Sequence, residues 1–173
     1  MRILLIYSSK YGATEICAKK IADNLDEKVD LINIKEKNNI NLNKYDKVVI
    51  GSSVYAGNID KNIKDFCIKN ENAIKSKIFG IFISCMNSNN LTEYIQSAFS
   101  KEILDKALII KDVGGAFYFS KMNFFEKFII KKIAKSDGLK DKSDNAIDGK
   151  NDVDLINDDN IKDFCNAINE KDV

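Results

Sequence analysis

Four short runs of the chain show no alternation: residues 3–7 (ILLIY), 47–50 (KVVI, apolar after its lysine), 78–83 (IFGIFI) and 107–110 (ALII). A strand with one wet face alternates apolar and polar residues. A strand that does not alternate is covered on both faces, as in a parallel sheet. Residues 29–34 (VDLINI) read as a further strand. Between these runs lie stripes at helical spacing. One is Cys17, Ala18, Ile21, Ala22 and Leu25; another is Ile59, Ile63, Phe66 and Cys67. A third is Leu91, Tyr94, Ile95, Ala98 and Phe99, and the last is Ile161, Phe164, Cys165 and Ile168. The alternation predicts an α/β fold, an open five-stranded parallel sheet with helices on both faces. An insert of about residues 118–157 separates the fifth strand from the last helix. With 173 residues, the chain has the length of one ordinary domain, and residues 1–173 read as a single unit.

In sheets of this kind ligands sit beyond the carboxyl ends of the strands, where the strand order reverses. The segments after strands one, three and four are therefore the places to search. After the first strand come Ser8, Ser9, Lys10, Tyr11, Gly12, Ala13 and Thr14, and then a helix. Hydroxyls, a glycine and unpaired helix-terminal amides suit a phosphate, and Lys10 adds a charge. The alternative is an ordinary turn with Thr14 as the helix N-cap. The loop is neither G-x-x-x-x-G-K-[ST] nor G-x-G-x-x-G, which disfavours P-loop and dinucleotide sites. After strand three come Ser52, Ser53, Val54, Tyr55, Ala56 and Gly57, with no Asp at the strand end. After strand four come Ser84, Cys85, Met86 and Asn87.

Composition removes several chemistries. There is no His, so no Ser-His-Asp triad, no Cys-His pair and no His metal ligand, and no metal is expected. The four cysteines form no C-x-x-C pair; scattered thiols suit core packing in a reducing, cytoplasmic setting. The 27 basic and 26 acidic residues nearly cancel, which gives no argument for a nucleic-acid partner. No apolar run approaches the ~18–20 residues of a membrane span, and residues 3–7 are too short for a signal-peptide core.

The residues also carry a resemblance. The chain resembles the flavodoxin family, whose phosphate loop is written [ST]-x-T-G-x-T. Gly12 and Thr14 match the end of that pattern, with Tyr11 in place of the middle Thr. The loops 52–57 and 84–87 are similar to the two flavin-ring loops. The likeness is closer to the branch that includes menaquinone-dependent protoporphyrinogen oxidase. There the loop often runs as Ser9, Lys10, Tyr11 and Gly12 do here, and a Gly-Ala-aromatic stretch follows strand five, as residues 114–118 (GGAFY) do. The resemblance implies FMN as cofactor. Residues 8–14 would hold its phosphate, 52–57 and 84–87 would bracket its ring, and Tyr55 would stack on a ring face. It also implies that Gly57 lets a backbone carbonyl turn toward flavin N5. Gly114, Gly115 and Tyr118 would line the substrate side.

Three functions are compatible with that resemblance. One is an FMN-dependent oxidoreductase resembling protoporphyrinogen oxidase, passing electrons from a reduced organic substrate to a quinone. Another is a flavodoxin-like electron carrier between partner proteins; the third is a binding domain that has lost FMN. Electron-carrier flavodoxins are strongly acidic and often stack a Trp on the flavin. This chain has a formal charge of +1 and no Trp, which favours the enzyme. Residues 121–135 carry five lysines against one glutamate, interleaved with Phe124, Phe125, Phe128, Ile129, Ile130 and Ile133. That segment reads as a helix covering the sheet edge, or as a lid over the flavin, or as a peripheral contact with the inner face of a membrane. Residues 141–160, rich in Asp, read as a mobile surface loop.

Overall fold

A computed structural model of the chain describes residues 1–37 and 39–170. In chain order the elements are β1 (Arg2–Tyr7), α1 (Ala13–Asn24), β2 (Lys28–Asn33), β3 (Lys47–Tyr55), β4 (Asn58–Ile59), α2 (Lys61–Lys75) and β5 (Ile78–Ser84). They continue with α3 (Leu91–Ala98), α4 (Lys101–Lys106), β6 (Ile109–Asp112), β7 (Ala116–Phe117), α5 (Phe124–Ser136), β8 (Val153–Asp154) and α6 (Asp158–Asn169).

The five long strands pair in parallel in the order β2-β1-β3-β5-β6, the expected open sheet. Alternate residues of β1 serve opposite layers. Ile3 and Leu5 pack with Cys17 and Ile21 of α1 and with Phe164 and Ile168 of α6. Leu4 and Ile6 pack on the other side with Ile63, Phe66 and Cys67 of α2 and with Ile103 of α4. Each fully buried Ile or Leu contributes ~1.5–3 kcal/mol, so a sheet covered on both faces holds itself without side-chain alternation. The chain leaves β1 for β2 on one side and returns to β3 on the other. The crevice at the carboxyl ends of β1 and β3 is therefore the switch point.

The amino end of the sheet is closed by a buried cation. Lys47, wholly inaccessible, donates to the Ile168 carbonyl at 2.9 Å and pairs with Glu27 at 2.8 Å. It ties the end of α6 to the far side of the molecule from the switch point.

Residues 141–152 are mostly exposed, with side-chain-capped turns, as the surface-loop reading expected. Asp141 accepts from the amides of Ser143 and Asn145, and Asp148 from those of Lys150 and Asn151. Asp141 and Asp148 are thus turn-formers. β8 pairs antiparallel with β7, and Ile147 and Val153 are buried. Residues 158–160 already belong to α6. At Gly114, with φ +71°, an added Cβ would lie 2.1 Å from the Leu155 carbonyl, so only glycine admits the close pass of β8's trailing strand. Phe119, Met122, Ile130, Ala134, Ile147 and Val153 form a small third core, packed over the carboxyl ends of the strands.

Candidate functional site

A cavity of about 350 Å³ opens at the switch point, within the ~300–1,000 Å³ range of small-molecule sites. Its walls come from the three loops flagged in the sequence and from the insert. Ser9, Lys10, Tyr11, Ala13 and Thr14 form one side. Ser53, Val54, Tyr55, Ala56 and Gly57 form the second, and residues 84–87 form the third.

The first loop leads into a helix start with no side-chain cap. Gly12 takes φ +105° and precedes α1. Thr14 is inside the helix rather than at its cap, which removes the capping explanation for it. Its hydroxyl is buried and makes no hydrogen bond. Leaving such a group unpaired costs ~1–3 kcal/mol. Ser9 Oγ accepts from the Gly12 amide at 3.0 Å, which fixes the turn and leaves its own proton free to donate. The unpaired first-turn amides and the positive end of the helix suit an anion at this position.

Lys10 does not point its charge at this position. Its ammonium lies 3.2 Å from Glu126 and 3.7 Å from the centre of the Tyr55 ring. Burial opposes its charge, but Tyr11 and Glu126 together hold it above the ordinary lysine range. Burial first, and then hydrogen bonding toward the Glu126 carboxylate, push the Tyr11 phenol up to about 12, so it stays protonated.

At the second loop Ala56 and Gly57 both have positive φ, 48° and 78°, forming the two-residue tip of a hairpin between β3 and β4. The Ala56 carbonyl accepts from the Asn58 side chain at 2.9 Å. Ser52 lies below the cavity. It accepts from the Asp60 amide and donates to the Ser53 carbonyl, holding the hairpin to α2. Ser8 is likewise buried at the end of β1, outside the lining.

At the third loop Cys85 Sγ lies 3.4 Å from Asp112 Oδ1, and that oxygen also accepts from the Gly114 amide at 2.9 Å. Burial, then the Asp112 charge, push the Cys85 thiol far up; it is no thiolate nucleophile. Burial also raises the Asp112 carboxyl. Gly115 lines the cavity against Cys85, whereas Gly114 and Tyr118 stand outside the lining. Tyr118 faces Asp154 at 3.4 Å.

Further walls come from Phe117, just before the insert, and from Met122, Ile130, Ile133 and Leu139 within it. The insert's helix α5 is fastened at both ends: Glu126 to Lys10, and Asp137 to Asn87 at 3.2 Å. The pairing of Asn123 with Glu126 as a capping box was a readable signal for where α5 begins.

A doubly wound sheet with an uncapped helix start after β1 and an aromatic-walled cavity beside it defines a flavodoxin-type protein. The sequence profile of the flavodoxin domain family matches residues 4–144, and the chain belongs to that family. Over 150 residues it is 24% identical to the protoporphyrinogen IX dehydrogenase (quinone) of Escherichia coli strain K12, covering 80% of this chain and 81% of that one. The Leishmania major protein of the same name is 23% identical over 150 residues; the match covers 79% of this chain and 64% of that protein's length, just under two thirds. In fold, the chain is similar to the crystal structure of oxidised Flavodoxin 2 from Bacillus cereus. The TM-score is 0.59 at 19% identity, with 99% of this chain and 100% of that one covered.

Proposed function

We propose that the cavity binds FMN and that the protein is an oxidoreductase. It would carry electrons from a reduced organic substrate, such as a porphyrinogen, to a quinone. The observation that carries the reading is the buried, unpaired Thr14 hydroxyl at an uncapped helix N-terminus, opening onto an apolar cavity. The chemistry of these donors fits a phosphate ester. Ser9, Gly12, Ala13 and Thr14 would hold the phosphate, with residues 53–57 and 84–87 around the ring system. FMN bound there would supply the two-electron chemistry, and the protein holds and tunes it. Tyr55, with Lys10 already over one face, would present the other to the ring.

The lid favours an enzyme over a freely diffusing carrier. Met122, Ile130 and Ile133 make an apolar roof beside Gly115 and Phe117, which suits a flat organic substrate and excludes water. Residues 1–173 then act as one unit, with residues of about 118–157 as its lid. The quinone would be met at a bilayer surface. No helix among the described residues is long and apolar enough to cross a membrane, so contact would be peripheral. The outward face of α5 suits it: Phe124 is 85% exposed, Phe125 74% and Phe128 64%, beside Lys131, Lys132 and Lys135.

The test is a visible spectrum after adding excess FMN and desalting, followed by turnover with protoporphyrinogen and a menaquinone analogue. Retained flavin bands with quinone-dependent turnover are expected. Retained flavin without turnover, but reduced by a reductase, would make the protein an electron carrier. Colourless protein would sink both.

A further inference from the structure

The phosphate cradle carries a charge that comes from the insert, not from the loop itself. The ammonium of Lys121 sits 3.1 Å from the position a Cβ would take on Gly12, directly over the start of α1. It makes no ion pair among the described residues; its nearest aromatic neighbour is the Tyr118 ring, 5.0 Å away. A cation and the positive end of a helix repel when nothing anionic lies between them. The chain nevertheless builds this meeting firmly. Lys121 ends a short turn anchored by fully buried Phe119, and Ser120 donates its amide and hydroxyl to Asp152 at 2.9 and 2.8 Å. Asp152 is thereby occupied. Of the other carboxylates near this loop, Glu126 is taken by Lys10 and Glu15, in the first turn of α1, by Lys19. Thr14's unpaired hydroxyl lies within the same helix terminus.

We propose that Lys121 is the counter-charge for the ligand's phosphate dianion, and that it makes the site select a phosphorylated flavin over its unphosphorylated form. The inference rests on the flavin reading above. Lys10 serves instead as the fastening of the lid. Because Lys121 belongs to the insert, the phosphate would be held between the loop after β1 and the first turn of the insert.

The experiment is a fluorescence titration of the apoprotein with FMN and, separately, with riboflavin. Wild type, Lys121→Met, Lys121→Arg and Lys10→Met are compared. Loss of one charge-assisted phosphate contact weakens FMN about 10- to 100-fold. Riboflavin affinity should not change in Lys121→Met. Lys121→Arg should restore most of the FMN affinity, and the salt dependence of FMN binding should be shallower in Lys121→Met than in wild type. Equal effects on both flavins, or none on FMN, would overturn the proposal. So would Lys10→Met losing FMN selectivity as fully as Lys121→Met. If wild type binds neither flavin, the flavin reading itself fails; if it binds both but Lys121→Met is silent, only the present inference does.

Discussion

The Lys10 ammonium and the Glu126 carboxylate lie 3.2 Å apart, joining the phosphate loop to the first turn of the lid helix. Glu126 also accepts from the Asn123 amide, closing the capping box. The nearby Tyr11 hydroxyl, which lacks good hydrogen-bond geometry, then the Asn123 amide and Lys10, hold the Glu126 carboxyl below the usual glutamate range. A depressed carboxyl stabilises above its unfolded pKa, and the effect fades as pH falls through the folded value. The protection of α5 amides, taken relative to the intrinsic exchange rate at each pH, should therefore fall in acid. Glu126→Gln keeps the cap and loses the charge, so it should remove that acid dependence and shift α5 opening by at most about fivefold. Glu126→Ala, losing both, should open α5 further. Equal exchange in wild type and Glu126→Gln across the acid range would dismiss the fastening.

Thr14→Val keeps the shape of the side chain and removes its unpaired hydroxyl. Without ligand the variant should be as stable as wild type, or more stable, because a buried group without a partner is gone. With FMN the ranking reverses. Hydrogen bonds to charged groups are worth about 1.5–3 kcal/mol, so FMN should bind roughly 10- to 100-fold more weakly. Thermal unfolding with and without FMN reads both halves. A loss of stability in the apoprotein would mean that the hydroxyl has a structural partner.

Asp112 titrates in the opposite sense to Glu126. Burial raises its carboxyl above the usual aspartate value. Its contribution to stability is complete below the unfolded pKa and is lost as pH rises through the raised folded value. Asp112→Asn still accepts from the Gly114 amide and has no charge to bury. Urea unfolding from pH 4 to 7 should show a smaller decline for Asp112→Asn than for wild type. Asp112→Ala leaves the Gly114 amide unpaired and should cost about 1–3 kcal/mol at every pH. A wild-type profile that rises between pH 4 and 7 while Asp112→Asn stays flat would reverse the assignment.

Lys47 lies at the amino end of the sheet, remote from the cavity. Lys47→Ala breaks a buried pair and strands the Ile168 carbonyl, so it should cost about 3–5 kcal/mol. FMN affinity, measured on the fraction that folds, should be unchanged. A large affinity loss would mean that the two ends of the sheet are mechanically linked.

The fold was legible because residues 3–7 and 78–83 are apolar without alternation, a pattern few environments accept. The three loops were legible because a parallel sheet puts its ligand at one edge. The insert was not. Phe124, Phe125, Phe128, Ile129, Ile130 and Ile133 spread apolar side chains around most of α5, so spacing alone does not tell which face turns inward. Only Ile130 and Ala134 of this helix are fully buried. The pairing of Phe117 with Val153 spans two residues, too short for any pattern to announce. Lys10 stood in the right loop for a phosphate, but the charge nearest the cradle is Lys121, far away in sequence. Such a placement exists only after the insert has folded back over β1.

The outward face of α5 can be judged by what its exposed phenylalanines do. Phe124 and Phe128 contact water rather than core, so Phe124→Ser with Phe128→Ser should leave the unfolding temperature nearly unchanged. Burying a phenylalanine in the acyl boundary is worth at least about 1.5 kcal/mol, roughly tenfold in partition for each ring. Wild type should sediment with vesicles of phosphatidylcholine and phosphatidylglycerol, and the double variant should bind them about 100-fold more weakly. Neutral phosphatidylcholine vesicles should bind wild type poorly, because Lys131, Lys132 and Lys135 then find no anionic headgroups. Unaltered sedimentation of the double variant would show that these rings do not enter lipid. Loss of binding with a matching fall in unfolding temperature would mean instead that they support the lid. Only the combination of intact fold and lost vesicle binding assigns this face to a membrane surface, because a packing role and a lipid role differ in that one respect.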